Sequence, residues 1–472
     1  VGGNQSTGDF ITNSLRFNNP DDPNLSTTFS SAGNRRTFTI SAWVKRGNIA
    51  DDHTLFGQGG TSSGNPRGVL FFANSLRFTN NTSGSSTDTD VETSAKTRDP
   101  SAWYHAVVAV DTTQGTAANR VKLYLNGEQQ TDLATATYPD QNFEMGWNNN
   151  VLHTVGRYPN NDAYHMDGYI SEFYFIDGTQ YAASNFGETN DNGVWIPKDA
   201  KDDLTFGTNG FYLQFQQTGT GTNSSGMGAD TSGNDNHLAV NNLAATDVTV
   251  DTPMNNFATG NPLIHIAGGN ITPSFSEGNT KWTSGANASY GTSGHGNIAV
   301  TNGKWYWEMK IDAGRNNGVT CGIAPTSVFE NHYGTSTSTD YTFARDNLGS
   351  YGYQFTNSGS KKVTGTSAGN ASSYGTNWSV DDIIGVAMDL DNDTLTFYLN
   401  GTSQNEAFSS LPDVYYTPAW YGYYDTVWEF NAGNPYNAIS SGNADANGYG
   451  NFEYAVPSGF YALCTKNLAE YG

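Results

Sequence analysis

The chain of 472 residues has little cysteine, little positive charge and no long apolar run. Its two cysteines, Cys321 and Cys464, cannot form a disulfide framework. Both lie in apolar stretches, so we expect buried core residues and leave a bridge between them open. Lysine and arginine number 22 against 45 acidic residues, and the net charge of −23 would repel nucleic-acid phosphates and anionic membranes. No apolar run approaches the roughly 20 residues of a membrane-spanning helix, so we expect neither nucleic-acid binding nor membrane insertion.

Glycine and aromatic residues are abundant instead. Glycine occurs 54 times, aromatic residues make up 13% of the chain and charged residues 14%. Short apolar segments bounded by Gly, Asn, Ser and Thr are typical of strands joined by tight turns, and long helical periodicities are missing. The composition predicts an all-β protein of sandwich type, long enough for two or three domains.

One hairpin pattern occurs twice, 274 positions apart (398 − 124). In each copy an apolar strand ends in aspartate, Asp111 or Asp389, and the returning strand closes with Tyr-Leu-Asn-Gly at Gly127 or Gly401. Every second side chain of such a strand points to one face, and Asn-Gly accepts the positive φ angles of a tight hairpin turn. The repetition predicts two all-β domains, each with this hairpin near its core.

The order of strand patterns and loops indicates where these domains begin and end. Polar, Gly-rich stretches precede and follow the first set of strand patterns. We expect the first to be flexible, and the loop at 216–236 to be either flexible or tied by its own side chains. The predicted divisions are a flexible lead-in at 1–12, a first sandwich at 13–215, a connector at 216–269, and a second sandwich with a C-terminal extension at 270–472.

Five motifs of the first region follow one another in a specific order and spacing. They are Trp43 in Ser-Ala-Trp-Val, Trp103-Tyr-His105 leading to Asp111, Leu-Tyr-Leu-Asn-Gly at 123–127, Val155-Gly-Arg157, and Asp167-Gly-Tyr-Ile-Ser-Glu172. Together they resemble a concanavalin A-like, laminin-G-type jelly roll over roughly residues 13–215. The resemblance implies an antiparallel β-sandwich.

The second region carries motifs of another kind. They are Gly-Lys-Trp-Tyr-Trp-Glu at 303–308, Ser-Tyr-Gly-Tyr at 350–353, Asp-Asp-Ile-Ile-Gly-Val at 381–386, Asp-Leu-Asp-Asn at 389–392, Leu-Thr-Phe-Tyr-Leu-Asn-Gly at 395–401 and Tyr-Thr-Pro-Ala at 416–419. These motifs resemble a SPRY domain over roughly residues 270–435. That resemblance implies a second antiparallel β-sandwich, which binds its partner through loops at one end.

The tandem arrangement resembles structural proteins of tailed bacteriophages. The motifs that carry this resemblance lie at 175–178, 186–188, 193–195, 210–213, 230–234, 250–253, 255–257 and 462–464. It implies a virion protein (a fibre, a tail-associated protein or a capsid decoration) that is assembled in the host cytoplasm and exposed on the particle surface. Other virion proteins and host-surface glycans are the implied partners. Such proteins are commonly homotrimers, although no coiled-coil heptads enforce trimerisation here.

The sequence offers few candidates for catalytic residues. Glucanases on a jelly roll need two carboxylates across the glycosidic bond, which acids at alternate positions of one strand would supply. The dense case, Asp389, Asp391 and Asp393, falls at the turn of the second hairpin, where Asp side chains bond their own backbone. His105 and His153 lie in strand patterns without zinc-like partners. We therefore expect no enzymatic activity.

Calcium is the cofactor that the jelly-roll resemblance implies, because loop oxygens commonly bind it in that superfamily. Asp230, Asn234 and Asp235 supply hard oxygen ligands within one compact loop. The alternative is an Asx-turn network without metal, in which the same side chains hold the loop. We favour the network and keep calcium as the candidate ion.

Aromatic side chains are the better candidates for ligand binding. Trp420, Tyr421, Tyr423 and Tyr424 lie within five residues of one another near Gly422. Flat rings stack on sugars or anchor protein interfaces, giving a large contact at low entropic cost. Strand alternation would bury about half of such rings, so core packing is the alternative for any one of them.

The sequence is best interpreted as a non-enzymatic structural or adhesion protein of a phage virion surface that binds glycans or other virion proteins. One alternative is a secreted or cell-surface bacterial lectin, against which the lack of a signal-peptide pattern counts. The chain begins with Val rather than Met, which leaves processing open and weakens that objection. The other alternative is a glycoside hydrolase with two carboxylates in the jelly-roll groove.

Overall fold

The computed structural model is almost entirely β-structure and divides into two compact units, Gly2–Met254 and Asn255–Gly472. It describes residues 10–49, 52–59, 67–81, 88–159, 164–264, 266–267, 272–285, 291–314, 318–328, 349–355, 359–364 and 371–472. Each unit has two large, mainly antiparallel sheets, so the prediction of two β-sandwiches is confirmed. Helices in the described residues are short: α1 (Thr465–Tyr471) and the 3₁₀ turns Asn19–Asp21, Ala117–Asn119, Ala183–Asn185, Lys201–Asp203 and Ala245–Asp247.

The first unit is built from two sheets around one core. Its strands are β1 (Ser14–Phe17), β2 (Asn24–Thr28), β3 (Thr37–Arg46), β4 (Thr54–Gly59), β5 (Arg67–Phe72), β6 (Leu76–Asn81), β7 (Thr89–Thr93), β8 (Trp103–Asp111), β9 (Val121–Leu125), β10 (Glu128–Gln129), β11 (Leu133–Thr137), β12 (Leu152–Val155), β13 (Gly168–Asp177), β14 (Gly187–Thr189), β15 (Trp195–Pro197), β16 (Phe211–Leu213), β17 (Ala239–Asn241) and β18 (Val248–Thr249). Sheet 1 has the order β10-β9-β8-β3-β13-β1-β18, with β16 beside β13. Sheet 2 has the order β11-β7-β6-β5-β4-β12-β2-β17, and β14 and β15 form a separate hairpin.

The central strands of sheet 1, β3, β8 and β13, are buried on both faces. In β8, Ala106, Val108 and Val110 point into the core between the two sheets. Val107 and Ala109 point to a second apolar cluster, which side chains of residues 181–212 complete. This segment therefore covers the outer face of sheet 1, which explains the continuous apolar run at 106–110 in place of alternation.

Residues 216–254 belong to the first unit. In this stretch β17 pairs with β2 and β18 pairs with β1, so the chain adds a strand to each sheet before it leaves the unit. The composition predicts a connector here, with the loop at 216–236 either flexible or tied by its own side chains. In the structure polar side chains of this loop make local hydrogen bonds, which is the second alternative. Of the lead-in predicted at 1–12, residues 1–9 lie outside the described residues.

The second unit repeats the two-sheet plan with different strands. They are β19 (Ile266–Ala267), β20 (Ser274–Ser276), β21 (Lys281–Thr283), β22 (Thr292–His295), β23 (Lys304–Ala313), β24 (Thr320–Pro325), β25 (Tyr351–Gln354), β26 (Lys361–Thr364), β27 (Ala371–Ser373), β28 (Ile383–Asp389), β29 (Thr394–Leu399), β30 (Thr402–Phe408), β31 (Tyr416–Gly422), β32 (Val427–Asn431) and β33 (Tyr461–Ala462). Sheet 3 has the order β19-β22-β31-β24-β25-β26-β27. Sheet 4 has the order β20-β21-β32-β23-β28-β29-β30, with β33 parallel to β23.

The core of the second unit is rich in tryptophan, with Trp305, Trp307 and Trp428 fully buried. The C-terminal segment covers the outer face of sheet 4, where the ring of Phe452 packs edge-on against Tyr306 of β23 at 5.3 Å.

Both cysteines are buried in the second unit. Cys321 lies in β24 and Cys464 directly precedes α1, and neither forms a disulfide. The expectation of buried core residues is confirmed. Burial raises the pKa of the Cys464 thiol to about 12, so this side chain stays protonated and packs as a small apolar group.

The two Tyr-Leu-Asn-Gly corners have the same geometry. Asn126 and Asn400 both have φ 48°, and the glycines that follow have φ 86° and 75°. The side-chain Oδ1 of Asn126 accepts a hydrogen bond from the backbone N–H of His105 at 2.8 Å. That of Asn400 accepts one from Ile383 at 2.9 Å. The predicted hairpin turns are therefore confirmed, and each asparagine also ties its turn to the neighbouring strand.

Candidate functional site

The outer face of sheet 2 carries polar side chains because two neighbouring strands alternate cleanly. In β6 and β7 the inward positions are buried and the outward positions are only partly buried. Arg77 of β6 lies directly opposite Glu92 of β7, and Thr79 lies opposite Asp90. Since opposite residues of paired strands point to the same face, these side chains form one polar surface.

Arg77 organises this surface through ion pairs. Its Nε and Nη2 donate to the two carboxylate oxygens of Asp90 at 2.8 and 2.6 Å, a bidentate arrangement. The Glu92 carboxylate lies 3.9 Å from Arg77 Nε and accepts a hydrogen bond from Ser75 Oγ at 2.7 Å. These contacts hold the acceptor and donor groups in fixed positions on rigid strands.

An aromatic pair borders the same surface. Phe71 of β5 lies opposite Arg77 and is half-buried. The ring of Tyr164 stands edge-on to it, with centroids 5.4 Å apart. Tyr164 is 44% exposed, which is unusual for a large ring and leaves much of its surface open to a ligand.

A cleft of about 280 Å³ opens between these groups. We name it the sheet-2 cleft; its lining residues are Asp52, Phe71, Ala73, Asn74, Ser75, Arg77, Glu92, Lys96 and Arg98. The lining combines one aromatic ring with hydrogen-bond donors and acceptors of both charges. Such a lining can hold a polar, hydroxyl-rich molecule without any covalent step.

The sequence contained a signal for this cleft that its analysis missed. Asp88, Asp90 and Glu92 occupy alternate positions in and just before β7. That is the alternating acidic pattern sought above, and it lies in the first unit rather than at 389–393. The pattern places Asp90 and Glu92 on one face, but only the structure shows that Arg77 engages both oxygens of Asp90.

The four aromatic residues expected to bind a ligand meet at one end of β31, but with different exposure. Trp420 is fully buried and packs on Phe430 at 5.2 Å, so the structure places it in the core. Tyr421 and Tyr423 are half-buried, with ring centroids 6.3 Å apart. Tyr424 is 45% exposed, and it is the one of the four that presents a large surface.

The loop expected to hold calcium is closed by its own hydrogen bonds. Asp230 Oδ1 accepts from the backbone N–H groups of Tyr212 and Ser232. Asp230 Oδ2 accepts from Ser232 Oγ and from the backbone N–H of Asn236. Four donors fill the roughly four lone-pair positions of a carboxylate, so this side chain does not fit a calcium ligand.

The other two residues of that loop have separate roles. The Asn234 side-chain amide donates to the backbone carbonyls of Gly207 and Gly210. Asp235 is exposed and lies 3.8 Å from the ring of His237. Within the part of the chain that the structure describes, no group of three or more His, Cys, Asp or Glu side chains could hold a metal ion. The side chains of Asp230 and Asn234 thus hold this loop through hydrogen bonds to its own backbone and to neighbouring backbone groups.

The acidic run at 389–393 is a turn, as predicted. Asp389 accepts hydrogen bonds from the backbone and side chain of Asn392 and pairs with Lys304 at 2.8 Å. Asp391 accepts from the backbone N–H of Gly303 at 2.8 Å. These carboxylates hold the second hairpin against the start of β23.

Two histidines of the first unit are structural. His105 is fully buried between Ser41 Oγ and Trp195 Nε1, and burial lowers its pKa to about 3. His153 is equally buried, and burial lowers its pKa to about 4. Both imidazoles are therefore neutral at ordinary pH and pack in the core as aromatic side chains do.

One glutamate is buried beneath the covering segment of each unit. Glu172 of β13 accepts hydrogen bonds at Oε2 from the hydroxyls of Tyr174 and Tyr212, and burial raises its pKa to about 7. Glu308 of β23 accepts from the hydroxyl of Tyr306 and the backbone N–H groups of residues 453 and 454, and burial raises its pKa to about 7. Neither carboxylate is accessible to a ligand, so their role lies in stability.

Comparison with known families identifies both sandwiches. Residues 19–184 match the concanavalin A-like lectin/glucanases superfamily, and residues 304–435 match the SPRY domain. The chain thus carries a concanavalin A-like domain in its first unit, followed by a SPRY domain in its second. These two domain types fit a binding or adhesion role. The superfamily of the first includes both lectins and glycosidases.

Solved structures similar to the chain include two SPRY domains. The SPRY domain of human HERC1 is 15% identical, with a TM-score of 0.28, and the match covers 36% of this chain and 96% of that one. The PSpry domain of TRIM65 is 16% identical, with a TM-score of 0.28, over 37% of this chain and 92% of that one. A comparison with curated proteins found no match. Among the described residues, no helix is long and apolar enough to cross a membrane.

Proposed function

We propose that this protein is a non-enzymatic adhesion protein of a bacteriophage virion surface, and that its concanavalin A-like domain binds a glycan in the sheet-2 cleft. The observation that carries the glycan proposal is the cleft itself, with an aromatic border beside fixed polar groups. Sugars offer apolar faces that stack on rings and hydroxyls that exchange hydrogen bonds with carboxylates and amides. Phe71 and Tyr164 supply the rings, and Glu92 and Asn74 supply polar partners.

The ion pairs of the cleft support binding rather than hydrolysis. A glycosidase needs one carboxylate free to protonate the leaving group and a second free to act as base or nucleophile. Asp90 has both oxygens engaged by Arg77, and Glu92 accepts a hydrogen bond from Ser75. A carboxylate in a bidentate pair with arginine is held in one orientation, which suits a fixed recognition element.

We expect the variant Glu92→Ala to weaken glycan binding by about tenfold or more, because it removes a charged hydrogen-bond acceptor from the cleft. The measurement is a glycan-array screen followed by titration calorimetry on the best ligand. The control is Tyr424→Ala, which removes the exposed ring of the SPRY domain and should leave binding unchanged. The opposite pattern, loss in Tyr424→Ala and no loss in Glu92→Ala, would place the ligand at the aromatic end of β31 instead.

The virion location is supported by the motifs that resemble tailed-phage structural proteins, from 175–178 to 462–464. We expect the protein to co-purify with intact particles in fixed stoichiometry, as measured by quantitative mass spectrometry after density-gradient purification. Antibody labelling in electron micrographs should mark the particle surface. Recovery from the secreted fraction of a bacterium, with none in particles, would favour the bacterial lectin.

A further inference from the structure

The sheet-2 cleft concentrates positive charge in a chain that has little of it. Of the 22 lysines and arginines, three line this one cleft: Arg77, Lys96 and Arg98. Arg77 is neutralised by its bidentate pair with Asp90. Lys96 and Arg98 are both exposed, and neither forms an ion pair with any other described residue. Two cations are therefore free to meet an anion at the cleft.

We infer that the glycan bound in this cleft is acidic, with a sugar carboxylate placed between Lys96 and Arg98. The inference rests on the proposed function and specifies its ligand class. The planar guanidinium of arginine matches a carboxylate in a two-bond geometry, and the lysine ammonium adds a second charge-assisted hydrogen bond. Glu92 and Asp52, on the acidic part of the lining, accept hydrogen bonds from the hydroxyls of the same or the next sugar.

The net charge of −23 does not prevent this contact. At physiological ionic strength the Debye length is about 8 Å, so acidic groups elsewhere on the protein are largely screened from a ligand in the cleft. Contacts at hydrogen-bond distance inside the cleft are screened much less. The cations in the cleft therefore decide whether it prefers acidic or neutral glycans. Outside the cleft, the acidic surface of the protein disfavours contact with polyanions.

The test compares polysaccharides that differ only in charge. Uronic-acid polymers (polygalacturonate, alginate and hyaluronate) are each paired with their own carboxyl-reduced form, which keeps the backbone and removes the acid. We expect the wild-type protein to bind at least one acidic polymer about tenfold or more tightly than its reduced form. The double variant Lys96→Gln/Arg98→Gln should lose that preference to within about twofold, as judged by the ratio of its own affinities for the acidic and the reduced form.

A matched control carries the same change in net charge away from the cleft. Lys122→Gln/Lys201→Gln removes two lysines of the same domain that do not line the cleft, and it should keep the preference for the acidic polymer. Equal binding of acidic and reduced polymers would overturn the acidic ligand and leave the glycan proposal standing. Failure of every polymer to bind would overturn both proposals. If Lys96→Gln/Arg98→Gln still prefers the acidic polymer, the proposal that these two residues bind the sugar carboxylate is overturned.

Discussion

The variant Asp251→Ala is expected to destabilise the first domain by about 3–5 kcal/mol, because it removes the carboxylate that forms a buried ion pair with Lys45. Lys45 Nζ lies 2.7 Å from Asp251 Oδ2, and both side chains are fully buried. The second oxygen of Asp251 accepts a hydrogen bond from Trp103 Nε1 at 3.0 Å. One carboxylate thus joins β3, β8 and the end of the first unit.

The measurement is urea unfolding followed by hydrogen exchange in peptides from β3 and β13, with peptides from β23 of the second domain as an internal reference. The control is Glu144→Ala, which breaks the pairs of Glu144 with Arg35 and Arg36 where the carboxylate is 51% exposed. Exposed pairs contribute little, so this change should cost within about 1 kcal/mol. If Asp251→Ala lowers the free energy of unfolding by no more than Glu144→Ala does, the predicted stabilising role of the buried ion pair is contradicted.

The variant Glu172→Gln is expected to remove one contribution to the pH dependence of first-domain stability, the loss of stability as the pH rises from about 4.5 to 8. The buried His105 and His153 keep their own contribution, which has the opposite sign. Burial raises the pKa of Glu172 from 4.5 to about 7. Its Oε1 has no hydrogen-bond partner among the described residues, while Oε2 accepts from Tyr174 and Tyr212. The nearby charge of Asp199 disfavours ionisation further. The neutral amide of glutamine imitates the protonated carboxyl.

Proton linkage determines whether the raised pKa of Glu172 stabilises the domain at low or at high pH. Because the folded state binds this proton more tightly than the unfolded chain, its contribution is fully present below about pH 4.5 and is lost as the pH rises through about 7. A rise in pKa of this size corresponds to about 3 kcal/mol of stability lost by pH 8. Glu172→Gln should therefore be more stable than the wild type at pH 8 and no more stable at pH 4.5.

Hydrogen exchange at several pH values measures this effect in each domain separately. In peptides from β13, the protection of Glu172→Gln relative to the wild type should increase as the pH rises from about 4.5 to 8. Peptides from β23 should show no such difference, because Glu308, whose pKa burial also raises to about 7, is unchanged in this variant. Glu308→Gln should give the reverse pattern. Parallel pH profiles for wild type and Glu172→Gln in β13 would show that this carboxylate does not titrate between these pH values.

Three sequence motifs, at 175–178, 230–234 and 250–253, each contain an aspartate that helps to hold the first domain together. Asp177 accepts hydrogen bonds from the backbone of residues 34 and 209 and from the side chain of Asn148. Asp230 closes the loop after β16, and Asp251 neutralises Lys45. Each of these aspartates makes contacts that hold its own segment in place. They therefore report the fold and do not identify the ligand.

Local sequence was sufficient for features that depend on neighbours along the chain. The all-β class, the two hairpins and their Asn-Gly corners follow from alternation and from backbone conformations that asparagine and glycine accept. Alternation in β7 also places Asp90 and Glu92 on one face, so the acidic side of the cleft could be predicted from the sequence. Alternation does not say whether a face is open, which is why Trp420 was expected at a ligand site and lies in the core.

By itself the sequence determined two β-sandwiches with tight turns, cysteines that pack in a core, and an acidic surface. Only the tertiary structure decided that residues 181–212 cover sheet 1 and that sheet 2 keeps a cleft. It also joined Lys45 to Asp251 across 206 positions of the chain. The physical reason is that burial, ion pairing and cleft shape depend on contacts between segments far apart in sequence, whereas turns and strand faces depend on adjacent residues.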